Sequence, residues 1–107
     1  MGKEIVYNKL IRDNIIEIIK KDHKVPIYHI ADKKEYSKLL LDKLYEELDE
    51  FKTDYSIEEM ADIMEIIYSI CKLYSLKLNE IEKIRKLKKN KRGGFEKRIV
   101  LEKVIEK

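Results

Sequence analysis

The stretch Asp42–Glu65, DKLYEELDEFKTDYSIEEMADIME, decides how this chain folds and where its chemistry lies. It carries ten carboxylates against two cations, Lys43 and Lys52, a local charge of −8 in a chain of net charge +3. The other residues therefore sum to +11. A basic chain has gathered its acid on two adjoining segments, both of helical periodicity, and such a patch attracts cations. At 100° per residue, Glu47/Glu50 and Glu59/Asp62 are i, i+3 neighbours, so each helix can aim two carboxylates at one point.

In the first helix Leu40, Leu44, Leu48 and Phe51 form an apolar stripe, with Lys43, Glu47, Glu50 and Asp54 along its edge. The second helix is apolar around most of its circumference, with a narrow polar strip at Glu58, Glu65, Ser69 and Lys72, and is expected to be buried on several sides. Glu59 projects between Ile63, Ile66 and Ile70, and Asp62 sits at the edge of the strip. A carboxylate in such a place must meet Lys or Arg, or bind an ion. The plain alternative is a solvated acidic face. Two pairs on consecutive helices, one acid among isoleucines, speak against it.

Capping signals bound these helices. Asp32 with Glu35 three residues on forms a capping box that starts a helix over about 33–53, and Ser56 with Glu59 opens a second over 57–75. That box offers Glu59 a competing structural role, reaching back to the Ser56 amide. Upstream, KEIVYNKLI is extended or irregular and a helix takes over near Leu10, with Asp13 or Asn14 at its start, Ile15, Ile18 and Ile19 on one face, and Lys20 and Lys21 closing it. Lys9 and Arg12, also i, i+3, present two positive charges together or form a solvated pair. Val25-Pro26 breaks that helix, and PIYHI alternates weakly as a short strand in which His29 reads as a packing or surface residue.

Downstream, a further helix begins around Leu78-Asn79, capped by Asn79, with Ile81, Ile84 and Leu87 on one face and Lys83, Arg85, Lys86, Lys88, Lys89, Lys91 and Arg92 on the rest, stopped by Gly93-Gly94. The basic run is a solvated face or a phosphate site. Residues 98–104 read as a terminal strand. The 107 residues predict a single domain, 1–107, mainly α with short peripheral strands, whose small core is completed by a second copy. One cysteine excludes an intrachain disulfide, and with two histidines it cannot close a zinc site. A reducing, cytoplasmic setting is expected; no apolar run reaches membrane-spanning length and MGKEIVYNK has no signal-peptide core.

The block KLYEELDEF followed by SIEEMADIMEIIYSI resembles the MazG-like nucleoside triphosphate pyrophosphohydrolases, which carry EExxE on one helix and ExxD on the next, here Glu46-Glu47-Leu48-Asp49-Glu50 and Glu59-Met60-Ala61-Asp62. YNKLIRDNIIEII and KNKRGGFEKRIVLEKV are similar to a small single-domain branch described as phosphoribosyl-ATP pyrophosphohydrolase-like. The resemblance implies a helical bundle, assembly as a homodimer or homotetramer, and Mg²⁺-dependent cleavage of a nucleoside triphosphate between the α- and β-phosphates, with Mn²⁺ as a substitute metal. Carried onto these positions, Glu47, Glu50, Glu59 and Asp62 would ligate the metal, and Glu46 or another nearby carboxylate would orient the water. Lys9, Arg12, Lys43, Lys91 and Arg92 are the candidate rim for the phosphates. A reading of a different class is a non-enzymatic helical module that binds nucleic acid or a protein through the 83–92 face; nucleic acid is the less expected partner. A di-iron bundle would need Glu-x-x-His motifs, which neither histidine supplies.

Overall fold

The computed structural model describes residues 2–107 and contains four helices, α1 (Ile15–Lys21), α2 (Lys33–Thr53), α3 (Ile57–Leu73) and α4 (Leu78–Arg92). The chain divides into two units, one ending at Ser75 that holds α1 to α3 and one over Leu76–Lys107 that holds α4. The fold is mainly α. Among the described residues there is no β-strand, so the strands expected at PIYHI and at 98–104 are not formed. A strand persists only when its amides and carbonyls find a neighbouring ladder. Alternation in both segments is weak, and Ile27, Ile30, Ile99 and Leu101 all stand in solvent.

The hairpin of α2 and α3 is the frame of the first unit. Asp32 lies in extended backbone and its Oδ1 accepts from the Glu35 amide at 2.9 Å, which starts α2. Neither Gly nor Pro interrupts the next 21 residues. The helix stops where Asp54 turns extended, and Ser56 Oγ then accepts from the Glu59 amide at 3.1 Å to start α3. Phe51 and Tyr55 pack edge to face at 5.2 Å across this turn. Only residues 54–56 separate the two helices, and Ser37 near the start of α2 hydrogen-bonds Tyr74 just beyond α3, so the pair runs antiparallel.

The buried apolar side chains are Leu40 on α2 and Ile63, Ile66 and Cys71 on α3, with Cys71 a free thiol. Glu47, not Leu48, shares that interior. Glu47 is 7% exposed whereas Leu48, assigned by sequence to the apolar stripe, is 41% exposed. The seam of α2 is therefore Leu40, Leu44, Glu47 and Phe51, and that of α3 is Glu59, Ile63, Ile66 and Ile70, all buried or half-buried. Both follow the 4, 3, 4 spacing of packed helices, with one carboxylate in an apolar place on each. The expectation that α3 is buried on several sides does not hold within this chain: Met60, Met64, Ile67 and Tyr68 leave its other flank open.

α1 has Asn14 at its N-cap without a side-chain cap bond, and its half-buried residues are Ile15, Ile16 and Ile19, while Ile18 is exposed. In the second unit α4 begins at Leu78, within the start read from sequence, but Asn79 is not its cap. Lys77 is its N-cap, so Asn79 lies inside the first turn and accepts from the Glu80 amide. Gly93, at φ 84°, ends the helix in a backbone region that side chains disfavour. No residue of α4 is buried. Among the described residues no helix is long and apolar enough to cross a membrane.

Candidate metal centre

The antiparallel hairpin brings its two i, i+3 carboxylate pairs to the same level, close to the turn that joins the helices. Glu47 from α2 and Glu59 and Asp62 from α3 each offer one oxygen, and these oxygens lie within 4.8 Å of one another. Glu46, Glu47 and Glu50 form a second set of the same dimension, sharing Glu47. All five acids singled out in the sequence thus belong to one cluster, with Glu47 at its centre.

Two oxygens in this cluster have no partner. Glu47 Oε2 and Glu59 Oε2 are both buried without a hydrogen bond. An unpaired buried carboxylate oxygen loses its water and gains nothing in return, which is among the more costly arrangements in a folded chain. The protonation equilibria register this. Burial, reinforced by the charges of Glu50 and Asp62 and opposed by Lys43, pushes the Glu47 carboxyl up to about 7. Burial and then the Glu50 charge also raise the Glu59 carboxyl.

The structural duty that competed for Glu59 is not taken up by its side chain. The Ser56 amide donates to the Asp54 carbonyl at 2.7 Å, so the capping box is half built and the Glu59 carboxylate is left facing the cluster. At Asp32 the box is likewise one-sided, since Glu35 pairs with His29 at 2.9 Å. His29 is exposed, as a surface residue.

Cations edge the outer side. Lys9 Nζ donates to Glu46 Oε1 at 2.8 Å, and this hydrogen bond holds the Glu46 carboxyl below its ordinary range and raises the Lys9 ammonium above its own. Arg12 Nη2 donates to Asp62 Oδ1 at 2.7 Å. Lys43, half-buried one turn before Glu47, lies 3.6 Å from Glu46 and 3.8 Å from Glu47. Three of the five expected rim cations therefore touch the cluster. Lys91 and Arg92 are exposed in the last turn of α4, in the second unit.

Sequence reasoning placed Glu47 at a boundary and missed that it is the core-facing residue. The signal was present in the spacing 40, 44, 47, 51, which fits a packing seam better than 40, 44, 48, 51 does. The individual pairings of Lys9 and Arg12 had no such signal. The donor set is all oxygen and predominantly anionic, with two desolvated atoms unpartnered, which is what a hard divalent cation such as Mg²⁺ takes. Compared with models of known families, with characterised proteins and with solved structures, the chain finds no match.

Proposed function

We propose that this protein is a Mg²⁺-dependent nucleoside triphosphate pyrophosphohydrolase of the MazG-like kind, cleaving between the α- and β-phosphates to give a nucleoside monophosphate and pyrophosphate. The observation that carries the proposal is the pair of buried, unpartnered oxygens, Glu47 Oε2 and Glu59 Oε2, inside a cluster of carboxylates contributed by two helices. Glu47, Glu50, Glu59 and Asp62 hold the metal, and Mn²⁺ can replace Mg²⁺ on the same oxygens. When bound, the metal supplies Lewis-acid stabilisation of charge developing on the phosphate oxygens. Glu46, kept ionised by Lys9, accepts a hydrogen bond from the attacking water and orients it. Water adds across the anhydride, the bridging P–O bond breaks, and the leaving pyrophosphate is met by Lys9, Arg12 and Lys43.

The working form is a homodimer or homotetramer. Met60, Met64, Ile67 and Tyr68 on the open flank of α3 supply an apolar face for a second copy, and a core of so few buried side chains benefits from one. A free buried Cys71 fits a reducing, cytoplasmic compartment.

Pyrophosphate release from a panel of ribo- and deoxyribonucleoside triphosphates, with and without Mg²⁺, tests the assignment. Metal-dependent release that Glu59→Gln abolishes supports it. If no triphosphate is cleaved while the protein binds nucleic acid in a salt-sensitive way through α4, the non-enzymatic module is the better reading.

A further inference from the structure

We infer that Arg12 forms a cationic latch, holding Asp62 until a metal binds and then turning to the phosphates of the substrate, while Lys9 stays on Glu46. This rests on the metal reading given above and concerns how the same site is regulated. Both cations come from residues 2–14, which precede α1 and form no helix or strand. Each takes a carboxylate on a different helix, Lys9 on α2 at 2.8 Å and Arg12 on α3 at 2.7 Å. They neutralise the outer acids and leave the inner ones alone. Glu47, whose side chain is only 9% exposed, keeps an oxygen with no partner, as does Glu59.

Asp62 links the two states. It is the partner of Arg12 and also one of the three residues whose oxygens converge within 4.8 Å. A divalent cation drawn to Glu47 and Glu59 must compete with the guanidinium for Asp62 and is repelled by its charge. The competition is easily lost by Arg12, because its side chain is 58% exposed and a solvated ion pair is weak. A guanidinium freed in this way carries a fork of donors matched to a phosphate, within reach of the place where the substrate's own phosphates would approach the metal. Metal binding thus readies the phosphate contact, and phosphate binding keeps the guanidinium off the metal's ligand, a reciprocal coupling of the two.

Two measurements on Arg12→Gln test the latch: binding of Mn²⁺ alone, followed by electron paramagnetic resonance, and binding of tripolyphosphate in saturating Mg²⁺, followed by calorimetry. The latch requires changes of opposite sign. Mn²⁺ should bind more tightly, by up to about fivefold if the ion pair is an ordinary exposed one. Tripolyphosphate should bind more weakly, by about tenfold or more for the loss of a charge-assisted hydrogen bond. Lys38→Gln, which removes an equal charge from the exposed Lys38–Asp42 pair, should shift neither. Mn²⁺ affinity unchanged or weakened in Arg12→Gln, or tripolyphosphate affinity unchanged, overturns the latch and leaves the metal centre standing. Mn²⁺ binding that is absent from the wild type, or indifferent to Glu47→Gln, overturns the metal centre and the latch together.

Discussion

The α2–α3 hairpin and α4 are both densely charged, yet their charges do different things. On α4 the pairs are local and wet: Arg85 grips Glu82 one turn away, which lowers the Glu82 carboxyl and raises the Arg85 guanidinium in the ordinary way. No α4 residue is buried, and its apolar residues Leu78, Ile81, Ile84 and Leu87 are exposed as well. On the hairpin two acids stand in the seam between helices, and burial pushes their carboxyls the opposite way, upward. The count of charges does not separate an uncompensated cluster from a solvated face. Desolvation and convergence do, because both raise the cost of leaving an anion uncompensated.

The largest expected contrast is in activity. Glu47→Gln, Glu59→Gln and Asp62→Asn should each lower triphosphate turnover by on the order of 10²–10³-fold or more, as losses of preorganised electrostatic groups do. Lys83→Gln and Lys86→Gln on α4 should leave it unchanged. Equal losses from both sets in a steady-state pyrophosphate assay would erase the distinction between the regions.

Packing should divide them next. Leu40→Ala or Ile63→Ala, in the hairpin interior, should cost about 2–4 kcal/mol of unfolding free energy by denaturant titration. Ile84→Ala, on the exposed face of α4, should cost well under that, about 0.5 kcal/mol. A large penalty at Ile84 would mean that α4 is covered in solution.

Stability should also fall with pH because of the hairpin. Glu47 holds its proton more tightly folded than unfolded, so its contribution is complete below pH 4.5, the ordinary carboxyl value, and is lost as pH rises through about 7. The loss is up to about 3 kcal/mol. Glu47→Gln should flatten this slope, and millimolar Mg²⁺ should offset it at pH 8. Urea unfolding followed across that range reads both effects, and a slope that Glu47→Gln leaves intact would assign the loss elsewhere.

The smallest contrast lies in the caps. Asp32→Ala and Ser56→Ala should each cost about 1 kcal/mol, since each removes an accepted amide at a helix start. Asn79→Ala, inside the first turn of α4, should cost less than either in the same thermal or urea unfolding measurement. A full capping loss there would restore Asn79 as the start of α4.

Sequence patterning foretold the bounds of α2 without error, the start of α3, and the glycine stop of α4. These are local matters: a capping oxygen, a run free of Gly and Pro, a residue able to take positive φ. Glu47, Glu50, Glu59 and Asp62 were legible for the same reason, because i, i+3 spacing fixes which side chains share a helix face, whereas Glu46 entered only through the family resemblance. The strands at PIYHI and 98–104 were misjudged since a ladder needs a partner that no short segment specifies.

By itself, then, the sequence determined the helices, the charge they carry and the candidates for chemistry. Only the tertiary structure decided that Glu47 is interior while Leu48 is not, that Glu59 keeps its carboxylate clear of its own cap, and that Arg12 reaches Asp62 across fifty positions of chain. Local pattern sets which residues share a face. Which face meets another, and what water leaves behind there, depends on the packing of segments far apart in the chain.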